Sequence, residues 1–334
     1  MNFEKLLRLQ VEPCEYFNDL QIHSILSEHR KEYFEKVGEW FKFWSLEPDK
    51  VDFPPKTILK TEGVKGDFRI MPCQIQFEGQ NINSIKLVGT NEEEKIVKDK
   101  ITVGKAFLFH PTDNFISAIF DACVLSSIRT GVCAVTAFKH LCVERRNVGI
   151  LGCGRIGYYT AMFLSLLDGV DELICYDNNP KSIENFLELT NELDIKCKIV
   201  SSVNELIDQS SSVFISTYSR SPLVSKEDIE KGGIKFISSV GADCNSYSEL
   251  DPSVASLPGK IYIDVWHSLR CADLRSWLKE GLIIEDRMVE LKEVISGKYI
   301  PSEAGCRLFI STGFAFTDAI SLDFIYRKRK ELKS

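Results

Sequence analysis

The sequence predicts an α/β protein with two domains, one built on a doubly wound parallel sheet and one of α+β type built on a largely antiparallel sheet. Three observations support this prediction. The chain has 334 residues, a length typical of two domains. From residue 147 onward, apolar strand-like runs alternate with helical stretches, which favours a parallel sheet with helical crossovers. Between residues 56 and 120, short apolar runs are separated by glycine- and proline-containing turns, which is typical of antiparallel strands.

Helical patterns flank the predicted antiparallel sheet. Residues 18–45 carry apolar side chains at helical spacing and predict an N-terminal helix. After Asp121, an alanine- and leucine-containing stretch without proline predicts a long helix that ends near Glu144. A last helix is predicted after Gly313 and ends in the basic residues 327–330, which complement the helix dipole.

The predicted parallel sheet lies between the long helix and the last one. Its strands are short apolar runs, and residues 155–167 and 180–193 between them have helical character. Residues 272–300 also look helical, without an identifiable packing partner. The predicted strands cover residues 147–152, 172–177, 196–201, 212–216, 234–241 and 260–264.

Composition and charge exclude several classes of protein. Apolar residues make up 44% of the chain, which is enough for a core, so a mainly disordered chain is not expected. The net charge is −7 and the chain has no large basic block, which disfavours binding to nucleic acid or to an anionic membrane surface. The sequence has no run of about 18 apolar residues, so we expect no membrane-spanning helix.

Targeting and metal-binding signals are also missing from the sequence. The N-terminus has no basic head followed by an apolar core, so we expect no signal peptide and a cytoplasmic protein. The 11 cysteines are scattered, and an odd number in a chain of this length favours reduced thiols. Neither the cysteines nor the five histidines have the spacing of metal ligands, so no metal site is expected.

A dinucleotide-binding motif follows the first strand of the predicted parallel sheet. Gly152, Gly154 and Gly157 form a G-x-G-x-x-G pattern between a strand and a helix, which is the context that makes this motif informative. The glycines allow a tight turn, close approach of a pyrophosphate and close packing of helix on strand. The main-chain amides at the helix start, Arg155 and Ile156, face the phosphates. The motif predicts a Rossmann-type domain.

Asp177 indicates which dinucleotide is bound. It ends the next predicted strand, 20 residues after Gly157, where an acid that binds the ribose is expected. A carboxylate there accepts hydrogen bonds from both ribose hydroxyls and repels a 2′-phosphate, so NAD is favoured over NADP. Alternatively, Asp177 only caps the helix that begins near Pro180.

A second acid follows another strand of the same sheet. Residues 234–240 form an apolar strand that runs into Gly241 and Asp243. Ligands of an open parallel sheet lie beyond the carboxyl ends of its strands, so Asp243 is a candidate general base beside the nicotinamide. Alternatively, Asp243 caps a turn with Asn245 and Ser246.

Three cations in apolar surroundings are candidates for substrate binding. Arg69 precedes Met71, Lys86 sits within an apolar strand, and Arg129 lies in the long helix. Buried cations need an anionic partner, and no acid neighbours Lys86 or Arg129 in the sequence. A substrate carboxylate would supply that partner, which arginine can bind in a bidentate manner. Alternatively, each cation pairs with a distant Asp or Glu.

These motifs together resemble the ornithine cyclodeaminase/mu-crystallin family over nearly the whole chain. Two landmarks are the most specific: the Arg-Thr helix followed by the dinucleotide loop, and the Gly-Ala-Asp turn followed by Glu-Leu. The matching segments are Met71-Pro72, Lys86-Leu87-Val88-Gly89, Ser127-Ile128-Arg129-Thr130, Gly152 to Gly157, Val240-Gly241-Ala242-Asp243-Cys244, Glu249-Leu250, Ser311-Thr312-Gly313 and Asp318.

The resemblance implies a division of roles between two domains. Residues 1–125 and 314–334 would form a substrate-binding and dimerisation domain through which a homodimer assembles, and residues 126–313 would bind NAD. Lys86 and Arg129 would contact the substrate carboxylate, and Asp243 would be the polar catalytic residue. Lys86 is also a catalytic candidate. Further cofactor contacts are expected at Thr130, Ser216, Thr217, Val240 and Gly241.

The family's chemistry implies an NAD-dependent oxidoreductase that acts on the Cα–N bond of an amino acid. After hydride leaves Cα, the imine is either hydrolysed to a keto acid and an amine or attacked by a side-chain amine, which is cyclodeamination. Segments 67–72, 82–89 and 125–130 look most like the siderophore-pathway branch, whose members release 2,3-diaminopropionate. Arg69 would favour a second substrate carboxylate over ornithine. Alternatives are a cyclodeaminase, an alanine dehydrogenase, a ketimine reductase and a ligand-binding protein without activity.

Overall fold

The computed structural model describes residues 10–77, 80–91, 96–142, 144–242, 247–270, 272–301 and 305–332. Within these ranges, the helices are α1 (Asp19–Glu28), α2 (Arg30–Leu46), α3 (Ala122–Leu141), α4 (Arg155–Leu164), α5 (Pro180–Thr190), α6 (Val203–Gln209), α7 (Lys226–Gly232), α8 (Ala272–Lys279), α9 (Leu291–Ile295) and α10 (Ala315–Glu331). The strands are β1 (Glu15–Phe17), β2 (Val51–Asp52), β3 (Thr57–Leu59), β4 (Phe68–Phe77), β5 (Gln80–Thr90), β6 (Thr102–Phe109), β7 (Ile116–Asp121), β8 (Asn147–Leu151), β9 (Glu172–Tyr176), β10 (Lys196–Ile199), β11 (Ser212–Ile215), β12 (Phe236–Ser239), β13 (Ile261–Ile263), β14 (Met288–Glu290) and β15 (Arg307–Ile310).

The chain divides into two compact units. The first comprises Met1–Glu28, Asp49–Leu125 and Asp318–Ser334, and the second comprises His29–Pro48 and Ser126–Thr317. Helix α2 therefore groups with the second unit, whereas the sequence analysis assigned residues 29–48 to the first domain. Aromatic packing accounts for this difference, because two rings of α2 lie about 6 Å from a ring of α4. The centroid distances are 6.0 Å for Tyr33–Phe163 and 5.9 Å for Phe34–Phe163.

The first unit contains the sheet that the sequence predicts as largely antiparallel, and this prediction is confirmed. Its strands lie in the order β1-β7-β6-β5-β4-β2, with β3 also paired to β4, and β1 runs parallel to β7. In the antiparallel β4–β5 pair, Arg69 is opposite Val88 and Met71 is opposite Lys86. Directly opposed residues point to the same side and alternate along each strand, so Arg69 and Lys86 share one face of this sheet.

The second unit contains the predicted parallel sheet. Its strands lie in the order β10-β9-β8-β11-β12-β15-β13-β14, and the pairs are parallel throughout this order. From β8 the chain proceeds to β9 and β10 on one side and then crosses to β11 on the other side. The carboxyl end of β8 is therefore the topological switch point, the place where open parallel sheets bind their ligands.

Two regions of the parallel sheet differ from the predicted elements. Residues 272–300 form two short helices, α8 and α9, with strand β14 between them, rather than one helical stretch. Strand β15 is not predicted from the sequence, yet it lies between β12 and β13 inside the sheet. Both strands are three or four residues long, and their partners are distant in the sequence, so a local pattern cannot reveal them.

Helix α3 is the long helix predicted after Asp121. Within the part of the chain that the structure describes, it is the helix that is long and apolar enough to cross a membrane. However, 83% of its apolar window is buried inside the protein, which is the behaviour of a core helix.

Candidate active site

The glycine-rich loop lies at the switch point of the parallel sheet. Strand β8 ends at Leu151 and helix α4 begins at Arg155, so the loop joins the two directly. Gly152 adopts φ +105°, which favours glycine, and its main-chain N–H donates to the carbonyl of Tyr176 at 2.9 Å. A Cβ placed on Gly154 would meet no atom within 4 Å, so this part of the loop borders open space. A ligand can therefore approach the main chain here.

Asp177 is joined to this loop by a hydrogen bond. Its Oδ2 accepts from the main-chain N–H of Cys153 at 2.8 Å, and its Oδ1 accepts from the main-chain N–H of Asn179 at 2.8 Å. Helix α5 is instead capped by Asn179, whose side chain accepts from the N–H of Lys181. The alternative that Asp177 only caps this helix is therefore wrong. Its half-buried carboxylate lies beside the glycine loop, where a ribose-binding acid is expected.

The ends of the neighbouring strands β11 and β12 carry the other predicted cofactor contacts of this unit. Ser216 follows β11, and its main-chain N–H donates to the carbonyl of Leu151 at 2.9 Å, next to the glycine loop. Val240 and Gly241 follow β12 and are buried, while Thr217 is half-buried. Thr130 on α3 is also buried, and its hydroxyl donates to the carbonyl of Ser126 at 2.7 Å.

A buried carboxylate, Glu249, connects the ends of β11 and β12. Its Oε1 accepts from the main-chain N–H of Thr217 at 2.6 Å and from the hydroxyl of that residue at 2.9 Å. Its Oε2 accepts from the hydroxyl of Ser239 at 2.6 Å and from the N–H of Gly241 at 3.1 Å. Burial raises the pKa of the Glu249 carboxyl to about 7, although all four hydrogen bonds act to lower it. The sequence analysis recognises Glu249 only as a landmark and assigns it no role.

Asp243, the candidate base, lies outside the described residues, as do Asn245 and Ser246, with which it was predicted to cap a turn. The described chain before it ends at Ala242, just after the buried Gly241. The catalytic role of Asp243 therefore stays a prediction.

Lys86 on β5 forms a buried ion pair in the first unit. Its Nζ lies 2.6 Å from Oδ2 of Asp318 on α10, and the two side chains are 1% and 2% exposed. Lys86 therefore pairs with an acid that is distant in the sequence, as one of the two alternatives for this cation predicted.

Arg69 also has a carboxylate partner within the first unit. Its Nε donates to Oδ1 of Asp67 at 2.7 Å, and Nη2 donates to Oδ2 at 3.0 Å. Arg69 is 7% exposed, and it shares the sheet face with Lys86. Residues diagonally opposed across two strands have Cα atoms about 7–8 Å apart, so this face presents two neighbouring cations, each with its own acid.

Arg129 on α3 packs against a turn of the second unit. Gly313 adopts φ +74°, and a Cβ there would lie 2.5 Å from Nη1 of Arg129. The turn is held by Asp264, which is fully buried and accepts from the hydroxyl of Ser311 at 2.6 Å and from the N–H of Gly313 at 3.1 Å. Gly313 therefore sets how closely the guanidinium approaches the turn.

The structure thus groups the predicted residues into two sets. Within the second unit, the glycine loop, Asp177 and the ends of β11 and β12 meet at the switch point of the sheet. Within the first unit, Arg69 and Lys86 meet on one sheet face. Sequence reasoning assigned no role to the carboxylates that hold these groups, and it named Glu249 and Asp318 only as landmarks of the resemblance. These carboxylates are Asp67, Glu249, Asp264 and Asp318. The signal that could have found them is that buried cations and strand-end amides require acceptors.

The chain is similar in sequence to two amino-acid dehydrogenases. The chain is 26% identical over 310 residues to an alanine dehydrogenase of Archaeoglobus fulgidus, which covers 92% of each protein. It is 22% identical over 291 residues to an N-((2S)-2-amino-2-carboxyethyl)-L-glutamate dehydrogenase of Staphylococcus aureus, with 83% of this chain and 84% of that protein covered.

A solved structure has a similar fold over almost the whole chain. The Delta(1)-pyrroline-2-carboxylate reductase of Thermococcus litoralis, in complex with NADH and L-proline, superimposes with a TM-score of 0.85. The match is 25% identical in sequence and covers 96% of this chain and 98% of that one. The family profile described as "Ornithine cyclodeaminase/mu-crystallin family" matches residues 19–333, which confirms the resemblance. The chain therefore belongs to the ornithine cyclodeaminase/mu-crystallin family.

Proposed function

We propose that the protein is an NAD-dependent oxidoreductase that acts on the Cα–N bond of an amino or imino acid. The observation that carries the proposal is the glycine loop at the switch point of the sheet, hydrogen-bonded through Cys153 to Asp177. The relatives are amino-acid dehydrogenases and reductases, and the chain is an enzyme of this kind.

The residues at the switch point fit NAD. The open space beside Gly154 leaves room for a pyrophosphate, and helix α4 begins at the next residue, so its first amides face that space. Asp177 would bind the ribose hydroxyls, and Thr217 and Gly241 would border the nicotinamide end. When bound, NAD supplies the hydride acceptor or donor.

Asp177 should make the enzyme prefer NAD to NADP. Replacing Asp177 with serine removes two charge-assisted hydrogen bonds, so we expect NAD to bind roughly tenfold more weakly and the preference over NADP to narrow. Titration of both cofactors by protein fluorescence measures this. An exposed acid of the same unit, Asp194, gives the matched control Asp194→Ser, which should bind NAD normally. Tighter binding of NADP by the unmodified protein would contradict the role given to Asp177.

For the substrate, we propose an N-substituted amino acid with more than one carboxylate. Lys86 and Arg129 would bind the α-carboxylate, and Arg69, which shares a sheet face with Lys86, would bind a second one through its guanidinium. After hydride transfer, Asp243 would take a proton from the water that adds to the imine. A keto acid and an amine such as 2,3-diaminopropionate would then leave, as in the siderophore-pathway branch.

A second candidate is a substrate with a single carboxylate, such as alanine or a cyclic imino acid. The Asp67–Arg69 pair favours it, because the carboxylate already compensates the charge that would attract a second acidic group. The alanine dehydrogenase and the pyrroline-carboxylate reductase among the similar proteins act on molecules of this kind by name.

Initial rates of NADH formation or consumption separate these candidates. The panel comprises alanine, proline, ornithine, N-(2-amino-2-carboxyethyl)glutamate, and the imino acids formed from pyruvate with ammonia and from cyclised ornithine. The highest kcat/KM for the dicarboxylic compound supports the first proposal. A higher value for alanine, proline or an imino acid supports the second, and cyclisation of ornithine without net NADH change contradicts both.

We further propose a cytoplasmic homodimer that assembles through the first unit, as the family resemblance implies. Size-exclusion chromatography with light scattering tests the assembly, and a monomer at micromolar concentration would contradict it.

Gly313 should be required for substrate binding through Arg129. In Gly313→Ala, the new Cβ displaces the guanidinium, so we expect the substrate KM to rise at least roughly tenfold, the value of one charge-assisted pair. The matched control is Gly297→Ala, where φ is +80° but a Cβ would meet nothing within 4 Å. Both variants should lose about 1–2 kcal/mol of stability from the left-handed backbone. Equal KM values in the two variants would show that Arg129 does not hold the substrate.

A further inference from the structure

Glu249 is a buried acid that the proposed reaction does not use. Its side chain is completely buried, with 0% exposure, in the second unit. Both of its oxygens face the segments that follow β11 and β12, the two strands next to β8 on the side opposite β9. The carboxylate therefore lies directly behind the chain that would border the nicotinamide end of the cofactor.

The hydrogen bonds of Glu249 are arranged symmetrically. Each carboxylate oxygen accepts one main-chain N–H and one hydroxyl, from Thr217 at Oε1 and from Gly241 and Ser239 at Oε2. Strand pairing ends at Ile215 and Ser239, and one further main-chain hydrogen bond joins the two chains, from the N–H of Val240 to the carbonyl of Ile215 at 3.0 Å. Beyond this bond, Glu249 joins the two chain ends through its carboxylate.

We propose that Glu249 is a positioning residue of the cofactor site: its carboxylate fixes the main chain of Thr217 and Gly241 in the arrangement that receives the nicotinamide end of NAD. The inference rests on the proposed function, because it assumes that NAD occupies the switch point. Glu249 acts only through the segments that it holds.

Gly241 packs directly against Glu249 and Thr217. A Cβ on Gly241 would collide with Oε1 of Glu249 and with the main-chain N and O of Thr217. The two chain ends therefore approach as closely as glycine permits, and a carboxylate bridges them. An alanine at position 241 should disturb the same arrangement from the opposite side.

A second acid holds the main chain of Glu249 itself. Asp273 on α8 accepts from the hydroxyl of Ser248 at 2.7 Å and from the main-chain N–H groups of Glu249 at 3.2 Å and Leu250 at 3.4 Å. The segment that carries Glu249 is thus tied down at its backbone, which directs the side chain toward β11 and β12. Burial raises the pKa of Asp273, while these hydrogen bonds act to lower it.

Glutamine is a poor substitute at this position for a chemical reason. Each oxygen of Glu249 receives a main-chain N–H, a donor that cannot reverse its role. In Glu249→Gln, the side-chain NH2 must face one of these N–H groups in either orientation, so one end of the bridge is lost. The shape of the side chain stays the same, which makes this variant a specific test of the bridge.

The experiment compares folded variants for NAD binding and kinetics. We expect Glu249→Gln to raise the Kd and KM for NAD by at least roughly tenfold, the effect of losing a buried charge-assisted bond. The KM for the amino acid should stay within about twofold of the unmodified value, because none of the cations proposed to bind it, Arg69, Lys86 and Arg129, belongs to the segments that Glu249 holds. Gly241→Ala should likewise raise the Kd and KM for NAD and leave the KM for the amino acid nearly unchanged.

Two controls separate positioning from general destabilisation. Val213→Ala removes a fully buried core contact on β11 and should lower the melting temperature without changing the Kd for NAD. Glu205→Gln makes the same substitution at a carboxylate on α6 that accepts hydrogen bonds from Ser201 and Gln209, and it should leave both properties unchanged.

The outcomes are distinguishable. If Glu249→Gln melts lower but binds NAD like the unmodified protein, or if Val213→Ala weakens NAD equally, Glu249 is merely structural and the inference is overturned. If Glu249→Gln does not fold, Ser239→Ala decides, because it removes one hydroxyl donor and should weaken NAD by roughly 2- to 10-fold; an unchanged Kd there overturns the inference. If the unmodified protein does not bind NAD, the proposed function fails instead.

Discussion

Replacing Asp318 with asparagine should lower the free energy of unfolding by about 3–5 kcal/mol. The ammonium of Lys86 would lose its carboxylate partner at a site where both side chains are almost completely buried. A buried charge without a counter-charge is costly, because the protein interior replaces little of its hydration. The kcat/KM should also fall at least roughly tenfold, the effect of losing one charge-assisted contact, because Asp318 pairs with Lys86, the residue proposed to bind the substrate carboxylate.

Urea denaturation followed by circular dichroism measures the change in stability. Helix α10 offers a matched control in Asp323, which pairs with Arg327 four residues later, with side chains 17% and 46% exposed. Because partly exposed pairs contribute little, Asp323→Asn should cost less than about 1 kcal/mol and leave turnover unchanged. Equal costs for the two variants would mean that the Lys86–Asp318 pair is not buried in solution.

A compensated double variant separates stability from function. Lys86→Met with Asp318→Leu replaces the buried pair by apolar side chains of similar size, which often restores or increases stability. We expect this protein to fold with near-normal stability and to have no measurable turnover, because it lacks Lys86, the residue proposed to bind the substrate carboxylate. Retained activity would show that Lys86 is structural only.

Local sequence patterns predict the nucleotide site well, because the residues that form it are close together in the sequence. The glycine loop, the helix start and the acid that follows lie within one strand–helix–strand segment, and the structure places Asp177 against the loop through the N–H of Cys153. The strand–helix alternation also predicts the parallel sheet, since each helical crossover must lead back to a parallel neighbour.

Partners that are distant in the sequence could not be predicted in this way. Lys86 and Asp318 lie in different elements, β5 and α10, and meet only in the folded unit. Similarly, Glu249 accepts hydrogen bonds from both chain ends because β11 and β12 are neighbours in the sheet. That neighbourhood depends on the strand order and not on any local sequence pattern. The sequence indicated that such cations need acids, but the choice among 48 acidic residues requires the fold.

The acidic partner of Arg69 was not predicted, although it lies only two residues away in the sequence. The family resemblance suggested that Arg69 binds a second substrate carboxylate. Asp67, two residues earlier, already engages the guanidinium through two hydrogen bonds. Residues i and i+2 of extended chain lie on the same face, but Asp67 lies one residue before β4, which begins at Phe68, so strand periodicity within β4 does not reveal this pair.

Asp243→Asn should lower turnover by about 10²–10⁴-fold, the usual contribution of a general base. The position of Asp243 in the chain supports this role. Strand β12 ends at Ser239, at the ligand-binding edge of a parallel sheet, and Glu249 fixes Gly241 two residues before Asp243. Asparagine keeps the size of the side chain and removes its ability to accept a proton.

Steady-state kinetics and NAD titration together test this role. The Kd for NAD should stay close to the unmodified value while kcat falls, because the change affects proton transfer and not cofactor binding. Asp251→Asn serves as the control, since Asp251 accepts from the main-chain N–H of Ser253 at a surface turn and should be replaceable without loss of turnover. A folded Asp243→Asn protein with near-normal turnover would show that Asp243 only caps its turn. The proton would then have to pass through another group, and Lys86, whose ammonium is held by Asp318, would be the first to examine.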